Sequence, residues 1–219
     1  MGRAKEIIVK VIPAKIANEF VKKHHYSGKV VPNSTLHFGC FLDDRLHGVL
    51  SYGSSINKKG TVNLVNGTGW NEFIELNRMA FDEYLPKYSE SRCIAISIRL
   101  IKKNAPHIKW IISFADGTQC GDGTIYRASG FKLVGVAENT ALRVNPETGE
   151  QMHIIQAHHK KISNEFRKWK AIKGYQLKYI YLIDKSCKIT VPILPFSKID
   201  EMGAGMYKGE KITLEDRKK

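Results

Sequence analysis

Two rhythms of apolar positions alternate along the chain. Residues 6–13 are nearly continuous in Ile and Val and predict a strand. Pro13 then opens a helix in which Ile16, Ala17, Phe20 and Val21 recur on one face. The helix runs on through His24 and His25 until Gly28 and Pro32 end it. Residues 36–42 and 46–53 are apolar runs around Asp43, Asp44 and Arg45, which predicts a hairpin. The polar segment 54–66 is a loop candidate for touching a substrate. Residues 70–81 predict a long strand. A helix follows over 88–103, with Ser89 or Ser91 as its cap and Pro106 just past its end. The run from Trp110 to Ala115 reads as a buried strand that delivers Asp116 at its carboxyl end. A glycine-rich loop, 116–123, leads into a short helix carrying Tyr126, stopped by Gly130, and then into a strand over 131–136.

The order strand, helix, three strands, helix, strand, helix, strand predicts an α/β fold with a mixed central sheet flanked by helices. Ligands in open α/β sheets bind at strand ends such as that of Asp116. Residues 140–144 and 152–156 predict a last hairpin. A basic helix is expected over 159–172, followed by strands at 179–183 and 189–194. We therefore expect a catalytic domain over 1–158 and a basic helix and strand extension over 159–219, with a flexible lysine-rich tail.

Charge sharpens this picture. The 219 residues hold 35 Lys and Arg against 21 Asp and Glu, a net charge of +14. A surplus of that size points to a polyanionic partner, with nucleic acid first. No apolar run approaches the roughly 20 residues of a helical membrane span, so no membrane partner is expected. The four cysteines form no CxxC pair and read as reduced thiols of a cytoplasmic protein.

Several residue types carry candidate chemistry. Asp116 reads as a general base or as a turn former before Gly117. Arg78 suits a phosphate or a donor carbonyl, or an ion pair with Glu75 or Glu90. Ser89, Ser91 and Arg92 suit donor phosphates at a helix start, or a simple cap. Cys120 is a weaker nucleophile candidate. Arg167, Lys168 and Lys170 flank Trp169, a pattern that tracks a phosphate backbone or forms a solvated face.

The segment from Tyr126 through Gly130 and Phe131 to Gly135 resembles the helix-to-strand junction of the N-acetyltransferase (GNAT) superfamily. The glycines usual in that superfamily's pyrophosphate loop are missing around 88–92. A longer resemblance covers most of the chain to about His158. It rests on 24–29, 67–73, 76–81 and 114–126, which are similar to the Mom family of phage Mu and its prophage relatives. That resemblance implies conversion of adenine in DNA to N6-(carbamoylmethyl)adenine, which protects phage DNA from host restriction. It implies a phage- or prophage-encoded protein acting in the bacterial cytoplasm. It marks His25, Tyr26 and Asp116 as catalytic, and the GNAT resemblance adds Tyr126, as acid to the departing group or as a contact to the donor. Arg78, Ser89, Ser91, Arg92 and Ser113 fall on the donor side. His25 with Asp116 would hold a metal such as iron. Lys29, Trp70, Arg167, Lys168 and Lys170 would meet the nucleic acid, with Tyr26 or Trp70 stacking on a flipped adenine.

The implied product sets a chemical condition. Acetyl transfer bonds nitrogen to a carbonyl carbon, whereas this product bonds it to a methylene. The expected donor is an activated two-carbon acyl group, either glycyl-tRNA or an acetyl-CoA-like thioester. Two other readings fit the sequence: a non-catalytic DNA-binding protein on a transferase fold, and a conventional acetyl-CoA-dependent N-acetyltransferase.

Overall fold

The computed structural model describes residues 2–117, 123–139, 141–172, 174–207 and 210–211. The main sheet has seven strands. They are β1 (Ile8–Val11), β2 (Ser34–Leu42), β3 (Arg45–Gly53), β4 (Phe73–Phe81), β5 (Trp110–Asp116), β6 (Lys132–Asn139) and β7 (Gly174–Leu182). Their order is β1-β2-β3-β4-β5-β7-β6. Helices α1 (Ala14–His24), α2 (Ser89–Asn104) and α3 (Thr124–Ala128) connect them.

The β2–β3 hairpin turns on Asp43 and Asp44, both at positive φ (50° and 58°). Two successive left-handed residues match the strand twist and fix the register. β1 to β4 pair antiparallel. β4 and β5 pair parallel from Phe73 opposite Trp110 to Leu76 opposite Ser113. The residues that follow Leu76 are therefore where polar side chains of β4 collect.

α1 buries Ala17 and Val21, with Phe20 beside them, against Ile12, Val49 and Ala80. α2 buries Cys93, Ile94, Ser97, Ile98 and Ile101 at helical spacing. A second core stacks Trp110 on Phe73, with ring centroids 4.5 Å apart, among Val65, Ile112 and Ile180.

The chain divides into two compact units. One comprises Met1–Phe114, Thr124–Val134 and Lys178–Leu194; the other comprises Ala115–Gly123, Gly135–Leu177 and Pro195–Lys219. The segment assigned from sequence to a C-terminal extension thus supplies β7, an interior strand of the main sheet. Two backbone bonds, from Ile183 to Lys109 and from Gly117 to Tyr175, show β7 antiparallel to β5.

The sequence expectations fail most clearly within the second unit. The predicted hairpin pairs as Leu142–Val144 with Gln151–His153, in a separate three-stranded sheet with Lys170–Ala171. Residues 154–156 are helical, not strand, within Ile154–His159. The long basic helix over 159–172 does not form. Lys161 breaks it at φ 59°, and only Ser163–Phe166 is helical beyond that point. Phe166 and Trp169 are buried with Met152 and Ala157, so the chain folds back to cover two aromatics.

Candidate functional site

α1 ends at His24, and His25 leaves it in extended backbone with its amide on the Val21 carbonyl (2.9 Å). Gly28, at φ 59°, closes the turn that follows. The His25 Nδ1 receives the Ser27 N–H at 3.1 Å and lies 2.8 Å from the Ser27 hydroxyl. A backbone N–H only donates, so Nδ1 is the acceptor nitrogen and the neutral ring carries its proton on Nε2. Burial first, and the nearby Arg78 charge second, draw His25 down to about 4. The ring is neutral at pH 7. The Tyr26 ring packs 4.3 Å from it and is exposed. The Lys29 N–H donates to the Ser27 hydroxyl (3.3 Å).

Arg78 is held by carbonyls. Its Nε donates to Lys29 (3.0 Å) and a terminal nitrogen to Asn77 (2.9 Å). Glu75, read from the sequence as a possible ion-pair partner of Arg78, and Asn77, which that reading passed over, lie in the same strand. Glu75 is 9% exposed and Asn77 7%. Burial raises the Glu75 carboxyl above its ordinary range, opposed by the Ser55 hydroxyl, Asn77, Arg78 and the Ile56 amide. Asn77 Oδ1 accepts from the Ser34 hydroxyl (3.0 Å), while its buried Nδ2 faces the Glu75 carboxyl. The backbone makes room for this amide at Gly53, where a Cβ would stand 2.7 Å from Asn77 Oδ1 and 2.0 Å from the Asn33 carbonyl. Pairing with β3 steps from Leu76 opposite Tyr52 to Arg78 opposite Ser51, which leaves Asn77 as the extra residue of a β-bulge.

Ser113 is fully buried and shares its one proton between the Leu76 carbonyl (3.1 Å) and the Tyr126 phenol oxygen (3.0 Å). The phenol therefore keeps its own proton as a donor. Tyr126 is 8% exposed and its ring stacks on Tyr179 at 4.9 Å. The Tyr52 hydroxyl pairs with Ser97 at 2.6 Å, and burial raises its pKa.

The turn between β4 and α2 differs from expectation. Neither Ser89 nor Ser91 caps α2. Tyr88 takes the cap position in left-handed backbone (φ 72°), without a side-chain bond. The serine hydroxyls donate backwards, Ser89 to Pro86 and Ser91 to Tyr88. Arg92 donates to the Lys5 carbonyl (3.0 Å). Asp82 accepts the Tyr84 amide (3.0 Å) and meets His47 Nδ1 at 2.8 Å. Tyr84 stacks on His47 and donates to Asp43, which also receives Arg3.

The remaining candidates are dispersed. Asp116 is half-buried at the end of β5, in the second unit. Trp70 is 51% exposed, with the Lys58 ammonium 4.9 Å from its ring centroid. Arg167, Lys168 and Lys170 are exposed on irregular and strand backbone, while Trp169 between them is buried. Cys120 and the loop 118–122 lie outside the described residues, as do 208–209 and 212–219 of the tail. Among the described residues, no three His, Cys, Asp or Glu side chains gather as metal ligands. Nor is any helix among them long and apolar enough to cross a membrane.

Comparison with known proteins places this geometry. The chain resembles a putative phosphinothricin N-acetyltransferase of solved structure, with 10% identity and a TM-score of 0.51 over 82% of this chain and 99% of the other. A probable acetyltransferase from Staphylococcus epidermidis gives 12% identity and a TM-score of 0.50, over 80% and 98%. These likenesses establish the acetyltransferase fold. The methylcarbamoylase Mom of Escherichia phage Mu is 36% identical over 153 residues. That alignment covers 69% of this chain and 62% of the relative, so the chain spans about three fifths of the relative's length. The model of the Mom protein family matches residues 6–198, which takes in α1, β4, β5 and β7. The chain belongs to the Mom protein family.

Proposed function

We propose that the protein modifies adenine in DNA by an acyl-transfer chemistry and leaves N6-(carbamoylmethyl)adenine. The observation that carries this reading is the family match over residues 6–198. The net charge of +14 supports a nucleic-acid substrate. The exocyclic amine of adenine is a weak nucleophile and lies inside a stacked duplex, so the base is flipped out, or taken from unpaired DNA, before reaction.

Coenzyme A is the donor that the fold suggests, and the turn before α2 does not fit its pyrophosphate. Pro86 offers no N–H. The amides of Asp82, Tyr84 and Ser89 donate to His47, Asp82 and Pro86. Asp82, Glu83 and Glu90 add negative charge where phosphates would lie. The chemistry starts from glycine as an activated ester, with glycyl-tRNA or a CoA-like thioester as the donor. The adenine amine attacks the glycyl carbonyl and the ester oxygen departs with a proton from Tyr126. The glycyl amine then attacks ring carbon six, and the original nitrogen leaves that carbon as the carboxamide. Each bond broken is matched by one formed, with no oxidant.

In this scheme His25 donates from Nε2 to the developing oxyanion. Arg78 steadies the acyl oxygen, and Asp116 accepts the amine proton. Exposed Tyr26 and Trp70 stack on the displaced base, and Lys29, Arg167, Lys168 and Lys170 meet phosphates. The test is nucleoside mass spectrometry of DNA from cells expressing the wild type, Asp116→Ala and Tyr126→Phe, grown with nitrogen-labelled glycine. Modified adenine labelled at N6, and lost or greatly reduced in both variants, supports the scheme. Label confined to the terminal amide rejects the route, and unmodified adenine throughout favours a DNA-binding protein without this activity.

A further inference from the structure

The loop after β3 holds one apolar side chain out in solvent. Ile56 is 76% exposed, more than any other isoleucine, leucine or valine among the described residues. Its neighbours are all tied down. The Ser54 carbonyl receives the Asn33 side-chain amide. Ser55 is buried, with its hydroxyl 3.4 Å from that of Thr61. Asn57 caps the short helix Lys58–Thr61 by accepting the Gly60 amide (3.1 Å), and its carbonyl receives the Thr61 hydroxyl (2.7 Å). A loop free to relax would turn an isoleucine inward, because burial of its side chain is favourable. This loop is fixed with the side chain outward, and a β-branched side chain on a fixed backbone keeps few rotamers. Ile56 is a stiff apolar peg.

The peg stands in basic and aromatic surroundings. Lys58 and Lys59 follow it in the chain. The Lys58 ammonium lies 4.9 Å from the ring centroid of the exposed Trp70 and donates to the Asn71 side-chain carbonyl (3.2 Å). Glu72, the carboxylate of that segment, is already paired with Lys109 (2.7 Å). The inner side of the loop meets the candidate site. Ser55 and the Ile56 amide contact the Glu75 carboxyl, which also feels the Arg78 charge, and that charge reaches His25. A stiff apolar side chain bordered by lysines, beside the place of reaction, is complementary to a nucleic acid opened at one base step. Proteins that unstack DNA do so with wedges such as Ile, Leu, Phe or Met, set among cationic contacts.

We infer that Ile56 is the wedge that enters duplex DNA where the adenine leaves, filling the gap in the stack while Lys58 and Lys59 hold phosphates beside it. This deepens the adenine reading above and rests on it. An exocyclic amine inside a duplex is reached only when its base leaves the stack, and an empty gap would draw the base back. Trp70 or Tyr26 stacks on the displaced base, and Ile56 on the pairs that remain. An incidental surface isoleucine makes no distinction between paired and unpaired DNA.

The experiment titrates the full chain into a mixed-sequence duplex in which 2-aminopurine, a base that fluoresces when unstacked, replaces the adenines of one strand. The wild type should raise the fluorescence of the duplex. Ile56→Ala should lose most of that rise and bind the duplex about tenfold more weakly, the scale of one apolar side chain withdrawn from water. Its affinity for the single strand, set by phosphate contacts, should stay within about twofold of the wild type. Ile56→Leu keeps an apolar wedge and should restore both duplex signals. An Ile56→Ala protein that keeps the fluorescence rise overturns the inference, as does one weakened equally on paired and single strands. A wild type that binds the duplex with no rise overturns it too. If the wild type still modifies adenine in cells, only the wedge falls. If it binds neither form and modifies no adenine, the adenine reading falls with it.

Discussion

The middle of β4 and the turn that follows it solve the same problem in different ways. Both place charged and polar side chains within or beside a buried sheet. At the far end, Asp82, His47, Tyr84, Asp43 and Arg3 are tied one to the next. In the middle of the strand, Arg78 donates to the Lys29 and Asn77 carbonyls, Asn77 and Arg78 stand beside the buried Glu75 carboxyl, and His25 is kept neutral. The first arrangement spends its polarity on holding a turn. The second gathers a carboxyl, an amide and a guanidinium within the sheet.

This contrast makes different variants fail in different ways. Arg78→Ala should cost about 100-fold in product formation, the scale of losing one donor to a developing charge, while the melting temperature moves little. A large loss of stability instead would place Arg78 among the braces. The pH dependence of His25 comes next. The unfolded ring takes a proton near 6.5 and the native ring only near 4. The unfolded chain thus binds the proton first as pH falls. The contribution of His25 is fully present above about 6.5, is lost as the pH drops through about 4, and on the order of 2–3 kcal/mol is at stake. Thermal melts of the wild type and His25→Asn from pH 7 to pH 4 should diverge in that window, the variant being less acid-sensitive.

Asp82→Ala should show the reverse of Arg78→Ala. It removes the partner of a buried imidazole and should cost about 1–3 kcal/mol in chemical denaturation. Activity per folded molecule should stay within about threefold. A folded Asp82→Ala protein with no activity would break the comparison, because the turn would then belong to the site. The smallest effect is expected for Ser113→Ala. The phenol of Tyr126 loses one donor, about 1 kcal/mol, and kcat should fall a few-fold with KM unchanged.

The sequence was most readable where structure is local. The Asp43–Asp44 hairpin, the apolar face of α1 and the Gly130 stop each follow from a few adjacent residues. It misled where packing overrode local preference. Lys160 to Lys170 reads as one basic helix, but burying Phe166 and Trp169 with Met152 requires a break, taken at Lys161. The insertion of β7 between β5 and β6 leaves no local trace, since only long-range pairing defines it. In the candidate site, the motif residues His25, Arg78 and Tyr126 stood out because their types suggest chemistry. Asn77 was passed over, and Glu75 was read only as an ion-pair partner of Arg78, because the bulge that sets them in the sheet depends on pairing with β3. The serines before α2 looked like a cap because a cap depends on sequence position, whereas the left-handed Tyr88 that takes their place depends on the turn preceding it.

The position of β7 also bears on how the chain is made. β5 and β6 are synthesised well before the strand that separates them. A ribosome must therefore deliver residues through Leu182 before the sheet can close, and until then β5 has an open edge. Pairing between distant segments is slow and leaves such edges exposed to other chains. Expression at low temperature or a slower rate of synthesis should raise the yield of folded protein more than changes to the tail do. A chain truncated ahead of Gly174 should aggregate instead of folding as a smaller transferase.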